Sequence, residues 1–165
     1  MGCVAESDDP LALENQVCYC LALAARGVIG AYREVLEPLG LTHPQYLVML
    51  VLWEREPRSN RELAQALRLD PGTLSPLLKR LEAAGYVTKE RSQGDERTLA
   101  VRLTRAGKAL RDKAIHVPEI MIRRLGLEGM DLVKLNQTLR TLVDGADAPL
   151  DITTQEFRWL GVAQQ

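Results

Sequence analysis

Residues 60–110 read NRELAQALRLDPGTLSPLLKRLEAAGYVTKERSQGDERTLAVRLTRAGKAL, and the order of periods in this stretch decides the fold. Ser59 with Glu62 forms a capping-box pattern that opens a short helix through Leu67. Asp70 and Pro71 cap a second helix with the apolar stripe Leu74, Leu77, Leu78 and Leu81, and Gly85 stands just past its end. The period then becomes alternating in YVTKER and again in TLAVRLT, with SQGDE between, which predicts a β-hairpin with a polar tip. Two short helices joined by a tight turn and followed by a hairpin are the order of a winged helix-turn-helix.

The stripe of the second helix faces the core, so Thr73, Ser75, Pro76 and Lys79 fall on the opposite side, with Arg80 beside them. Small polar groups and cations there suit base edges and phosphates in a major groove. At the hairpin tip Gly94 permits the turn, and Asp95 can orient Arg97 towards a minor groove or a phosphate. A plain surface ion pair is the alternative for Asp95 and Arg97.

Outward from this centre the helical signals continue. Asp9 and Pro10 read as the start of a long helix to about Glu37, ended by Pro38 and Gly40. Thr42 with Gln45 opens a strongly apolar helix that stops near Pro57. Thr104 caps a further helical stretch that Pro118 should kink, and a last helix runs from about Glu128 to Val143, before Gly145. The expected division is 8–57 for dimerisation and sensing, 58–103 for the winged helix-turn-helix, and 104–145 for C-terminal dimerisation helices. The tail 146–165, with Phe157 and Trp159, has no assigned role. The fold class is thus mainly α with a small β-hairpin wing.

The chain has 165 residues and a net charge of −1, enough for one ordinary domain core. That charge hides an asymmetry: residues 55–111 carry 13 basic and 7 acidic side chains, and the remainder 8 basic and 15 acidic. A basic middle of +6 against flanks of −7 fits a polyanion-binding module between segments with another task. No apolar run reaches the roughly 18 residues of a membrane span, and the start MGCVAESDDP lacks a secretory pattern, so a cytoplasmic location is expected. Cys3, Cys18 and Cys20, odd in number and near one end, suit neither a disulfide scaffold nor a metal cage, which leaves a reactive thiol. Seven aromatic residues provide no stacking platform for single-stranded nucleic acid.

The 60–110 stretch, including Asp95-Glu96-Arg97 in the wing, resembles the MarR family of dimeric winged-helix regulators. That resemblance implies a homodimer on a pseudo-palindromic site in double-stranded DNA. The segment ENQVCYCLALAARGVIGAYREVLEPLGLTHPQYLVMLVLWE is similar to one branch, the organic-hydroperoxide sensors called OhrR. The branch implies that Cys18, after Asn15-Gln16, is the sensing thiol, and that Tyr32 of the other subunit hydrogen-bonds its sulfur. The second tyrosine of the branch falls on His43, because this chain has Thr-His-Pro-Gln-Tyr where the branch has Thr-Tyr-Pro-Gln-Tyr.

Helix geometry bears on the same point. Cys18 and Tyr32 are 14 residues apart, which is about 21 Å along one helix. They cannot touch within one chain, but two antiparallel copies crossing near Ala25 bring Cys18 of one opposite Tyr32 of the other. Ala22, Ala24, Ala25 and Gly27 permit that approach. The helix start at Pro10 puts Cys18 too far along to feel the N-terminus strongly, so Tyr32 and His43 are the expected thiolate stabilisers. An aromatic core filler is the alternative for Tyr32, and an exposed first-turn side chain for His43.

Cys20, about 200° around the helix from Cys18, cannot form an unstrained disulfide with it; the resemblance to two-cysteine members of the branch puts a resolving cysteine in the stretch matching EIMIRRLGL, which has none, and leaves Cys3 as the only other candidate. Oxidation of Cys18 to a sulfenic acid, then capture by a low-molecular-weight thiol, is the expected chemistry. The functional expectation is a repressor that leaves DNA when an organic hydroperoxide oxidises Cys18. A regulator answering a small phenolic or aromatic ligand is the alternative. A thiol peroxidase is disfavoured, since no dedicated resolving partner exists and His43 and His116 are the chain's two histidines.

Overall fold

The computed structural model describes residues 9–92 and 95–147, and the side chains of 91–99 are not described. Cys3, Gly94, the side chains of Asp95 and Arg97, and Phe157 and Trp159 therefore lie outside the described residues. The chain forms two compact units, one ending at Gly126 and one beginning at Leu127.

In the first unit, α1 (Val17–Leu36) and α2 (His43–Glu54) precede a short strand β1 (Arg58–Ser59). Then follow α3 (Asn60–Leu67), α4 (Pro71–Ala83), β2 (Val87–Ser92), β3 (Asp95–Leu103), α5 (Arg105–Ala114) and α6 (Val117–Arg124). The three strands form an antiparallel sheet in the order β1-β3-β2, with Ser59 opposite Ala100 and Val87 opposite Leu103. This is a winged helix-turn-helix flanked by helices, as the periods predicted. The second unit contains α7 (Leu132–Asp147), opened by Asp131, whose Oδ1 accepts from the Lys134 amide at 3.0 Å.

Local caps place the elements. The Thr42 amide donates to Gln45 Oε1 at 2.8 Å at the start of α2. The Ser59 amide and hydroxyl donate to Glu62 Oε2 at 2.7 and 2.9 Å, and the Glu62 amide returns to Ser59 Oγ at 3.2 Å. At the end of α4, Gly85 takes φ +76°, and the Tyr86 amide reaches back to the Leu81 carbonyl at 3.0 Å. That left-handed residue lets the chain reverse into β2 without a Cβ clash. The core beneath is built from Leu36, Val48, Met49, Leu52, Leu63, Leu74 and their buried neighbours.

Three boundaries differ from expectation. Helix α1 begins at Val17 rather than Pro10, after a 3₁₀ turn at Leu13–Asn15. Asp9 Oδ1 accepts from the Leu11 amide at 2.9 Å, while Asn15 Nδ2 and Gln16 Nε2 donate to the carbonyls of Asp9 and Pro10 at 2.8 and 2.7 Å. These local bonds hold the arm in turns and leave Gln16 extended as the N-cap. The predicted kink at Pro118 is a full break: Ile115 and His116 separate α5 from α6, and Pro118 sits in the first turn of α6, where its missing N–H costs nothing. Gly145 lies inside α7 rather than past its end, since an exposed helix tolerates one glycine at a cost of about 1 kcal/mol.

Two long-range devices, neither legible as a motif, join α2 and α5 to the wing. Glu56 Oε2 accepts from the Leu103 amide at 2.5 Å and Glu56 Oε1 pairs with Lys108 at 2.6 Å. Gly107 packs against the Tyr86 carbonyl so closely that a Cβ would lie 2.1 Å from that oxygen. Gly107→Ala should therefore cost about 1–3 kcal/mol, read as a lower urea midpoint; an unchanged midpoint would contradict the close packing. Burial alone would raise the Glu56 carboxyl, but hydrogen bonds from Lys108 and Leu103 and the charges of Lys108 and Arg102 outweigh it and hold it below 4.5. Because the folded value is depressed, this stabilisation is complete above 4.5 and is lost as pH falls through the folded value. Urea midpoints followed from about pH 5 downward should fall more steeply for wild type than for Glu56→Gln; parallel profiles would contradict the assignment.

Candidate functional site

Helix α4 presents its expected face. Leu74, Leu77, Leu78 and Leu81 are buried, and Thr73, Ser75, Pro76, Lys79 and Arg80 are all exposed on the other side. Asp70 Oδ1 accepts from the Thr73 amide at 2.9 Å and Oδ2 from the Thr73 hydroxyl at 2.5 Å, which hold the Asp70 carboxyl below its usual range. Ser75 Oγ donates to the Pro71 carbonyl at 2.8 Å. Pro76 lies inside α4 and has no amide hydrogen for the Gly72 carbonyl of the preceding turn. Lys89 on β2 pairs with Glu82 of α4 at 3.2 Å and sets the wing against the helix.

Two further cations stand exposed beside the turn that opens α4. Arg61 on α3 and Arg68 just past its end, both exposed, line a cleft of about 430 Å³ with Asn60, Gln65 and Pro71. Arg61 is the second residue of α3, after the Ser59 cap, and Arg68 adopts the left-handed φ of +51° that ends α3. Only their place in the basic segment hinted at them in the sequence.

The candidate redox residues lie at opposite ends of α1. Cys18 is its second residue, exposed and free, and Cys20 is half-buried. The later helix start corrects the argument from the macrodipole: the sulfur belongs to the first turn, at the positive end of the helix. Tyr32 lies in the last turns, and its ring stacks on His43, the first residue of α2, with centroids 4.7 Å apart. His43 is thus half-buried against an aromatic face rather than a free first-turn side chain. Tyr32 also packs on the core, so filling space and facing the seam are compatible.

Burial sets the protonation of this pair. It raises Tyr32 above 10.0, which keeps the phenol a hydrogen-bond donor, and lowers His43 below 6.5, which favours the neutral ring at neutral pH. The pair supplies two neutral donors, and a permanent imidazolium charge is not part of it. Beside it, Ile29, Leu41, Pro44 and His43 line a cleft of about 520 Å³, rimmed by Arg33 and Glu37. The aromatic contacts continue inward, from Tyr32 to Tyr46 at 5.8 Å and from Tyr46 to Trp53 at 6.2 Å.

Between its ends α1 exposes Val17, Leu23 and Ile29 around Ala22, Ala24, Ala25, Gly27 and Gly30. A Cβ added at either glycine would meet nothing within 4 Å. Among the described residues no cluster of His, Cys, Asp and Glu could hold a metal ion, and no helix is long and apolar enough to cross a membrane.

Comparison with known proteins places this architecture. A family model described as transcriptional regulator SarA/Rot matches residues 31–114. The chain is 39% identical over 136 residues to the organic hydroperoxide resistance transcriptional regulator of Bacillus subtilis strain 168, an alignment covering 82% of this chain and 92% of that protein. Among solved structures, reduced AbfR bound to DNA superposes with a TM-score of 0.63 and 34% identity, over 79% of this chain and 95% of that one. A MarR-family transcriptional regulator from Rhodococcus sp. RHA1 gives a TM-score of 0.71 at 28% identity, over 84% and 99%. With its winged-helix core and these relatives, the chain belongs to the MarR family of transcriptional regulators and is of the organic-hydroperoxide-regulator type.

Proposed function

We propose that this DNA-binding regulator works as a homodimer that holds a pseudo-palindromic operator while Cys18 is reduced and releases it after an organic hydroperoxide oxidises that thiol. One observation carries the reading. Tyr32 and His43 stack together at the end of α1 opposite Cys18, so an antiparallel pair of α1 helices delivers each sulfur to the partner's two donors. The exposed apolar and small residues along α1 supply the surface for that pairing, and a similar regulator has been solved in its reduced form on DNA.

The chemistry is a two-electron oxidation. The Cys18 thiolate attacks the terminal peroxide oxygen and the O–O bond breaks; the sulfur becomes a sulfenic acid, and the departing alkoxide takes a proton to leave as the alcohol. A low-molecular-weight thiol then condenses with the sulfenic acid, forming a mixed disulfide and water. Cys20, on the far side of the same helix, does not compete. Loss of the hydrogen bonds to the sulfur, with the added bulk, shifts the seam and therefore the spacing of the two α4 helices.

On DNA, α4 enters the major groove with Thr73, Ser75 and Pro76 towards the base edges, Lys79 and Arg80 towards phosphates, and the Asp95–Arg97 wing alongside. The 8–57, 58–103 and 104–145 segments act as sensing, DNA-reading and C-terminal dimerisation parts, and the setting is the cytoplasm. The alternative, a regulator answering a small aromatic ligand, draws support from a cleft of about 280 Å³ walled by Tyr46, Trp53, Ile115 and Pro118 with Arg111 at its rim.

A duplex selected from a randomised pool by reduced protein, titrated at fixed ionic strength, separates the two readings. Cumene hydroperoxide should release it at lower dose than hydrogen peroxide, and Cys18→Ser should bind the duplex yet ignore both; release that persists in Cys18→Ser would favour the ligand cleft. Lys79→Ala, which removes one cation from each subunit, should weaken binding across sequences and reduce the salt slope by about 2. The burial of His43 under Tyr32 has its own readout: Tyr32→Ala should raise the imidazole pKa towards 6.5 in an NMR titration, and an unchanged value would contradict the shielding.

A further inference from the structure

The contacts inward from Tyr32 do not stop in the core. Trp53, the last member of the aromatic series, donates its indole N–H to the Gly107 carbonyl in the first turn of α5, at 2.9 Å. Gly107 is buried, and its other side meets the Tyr86 carbonyl with no room for a Cβ. The same carbonyl accepts from the Thr104 amide at 3.0 Å, and the Thr104 hydroxyl donates to the Gly85 carbonyl at 2.6 Å. Gly85 and Tyr86 are the cap that ends α4. A run of direct contacts therefore leads from Tyr32, through Tyr46, Trp53 and the first turn of α5, to the end of the DNA-reading helix.

This run has little slack. Close-packed interiors transmit displacement rather than absorb it, and the Gly107–Tyr86 approach is already at its limit. Trp53 is the joint that ties the aromatic series to α5 by a directional bond between side chain and backbone. A small rotation of the indole must therefore either break that bond or carry the first turn of α5, and the α4 cap with it.

We infer that Trp53 is the positioning residue that couples the state of the Tyr32–His43 pair to the placement of α4, through its hydrogen bond to Gly107. The inference rests on the proposed oxidation of Cys18 by an organic hydroperoxide and adds to it the route by which DNA is released. Trp53 touches neither the sulfur nor DNA; it acts through α5.

The test uses the full-length dimer, cumene hydroperoxide and the selected duplex. Wild type should lose affinity about tenfold or more on oxidation, within the usual range of coupling between sites. Trp53→Phe keeps a ring against Tyr46 but lacks the N–H; it should bind as tightly as wild type when reduced and lose only about threefold or less when oxidised. A full loss on oxidation in Trp53→Phe would overturn the relay and leave the sensor reading intact, as would equal weakening in both states, the mark of a merely structural residue. Wild type that holds DNA after verified oxidation would overturn the sensor reading and the relay together. A second measurement needs no change at Trp53: in Trp159→Phe, where Trp53 is the sole fluorophore of its kind, oxidation should shift the emission, and Trp159→Phe combined with Cys18→Ser should show no shift. Emission unmoved by oxidation would overturn the relay even if Trp53→Phe fails to fold.

Discussion

A helix rises about 1.5 Å per residue, and that single constraint keeps Cys18 and Tyr32 some 21 Å apart on α1. No rearrangement within one protomer shortens the distance while the helix stands. The Cys18 thiol is exposed in the first turn, and Tyr32 and His43 meet at the far end, where α1 meets α2. The proposed sensor, if built from these parts, needs two copies, since one copy keeps them apart. Dimerisation is then part of the chemistry as well as of the match to a two-fold operator.

The donors themselves are tuned by packing. Stacking on each other and on the core withdraws both rings from water, which holds Tyr32 protonated and His43 neutral. The replacement of the branch's second tyrosine by histidine thus exchanges one neutral donor for another. The start of α1 adds its own positive end at Cys18. From Tyr32 the contacts pass through Tyr46 to Trp53 and Gly107 and on to the cap of α4.

What was legible in the sequence follows the range of each interaction. Ser59 with Glu62, Thr42 with Gln45, Asp70 before Pro71, and Gly85 each act within a few residues, and the helices they bound stand where those signals put them. The α4 face followed from the leucine spacing alone. The arm before Val17 was misread because Asp9-Pro10 is a good helix start locally, while the bonds of Asn15 and Gln16 that defeat it span six residues. Strand β1 is two residues long and exists through its pairing with β3, a partner far along the chain. Gly107 resembled any helix glycine until Tyr86 was seen against it, and the stacking of Tyr32 on His43 depends on how α1 and α2 meet.

Mixed dimers test the shared site most directly. In one, a Cys18→Ser subunit pairs with a Tyr32→Phe subunit, so the remaining Cys18 faces an intact Tyr32 across the seam. In the other, a doubly substituted subunit pairs with wild type, so the remaining Cys18 faces phenylalanine. The measurement is the rate of Cys18 oxidation by cumene hydroperoxide in each. The account predicts faster oxidation in the first dimer; equal rates, or faster oxidation in the second, would contradict a site built across two subunits.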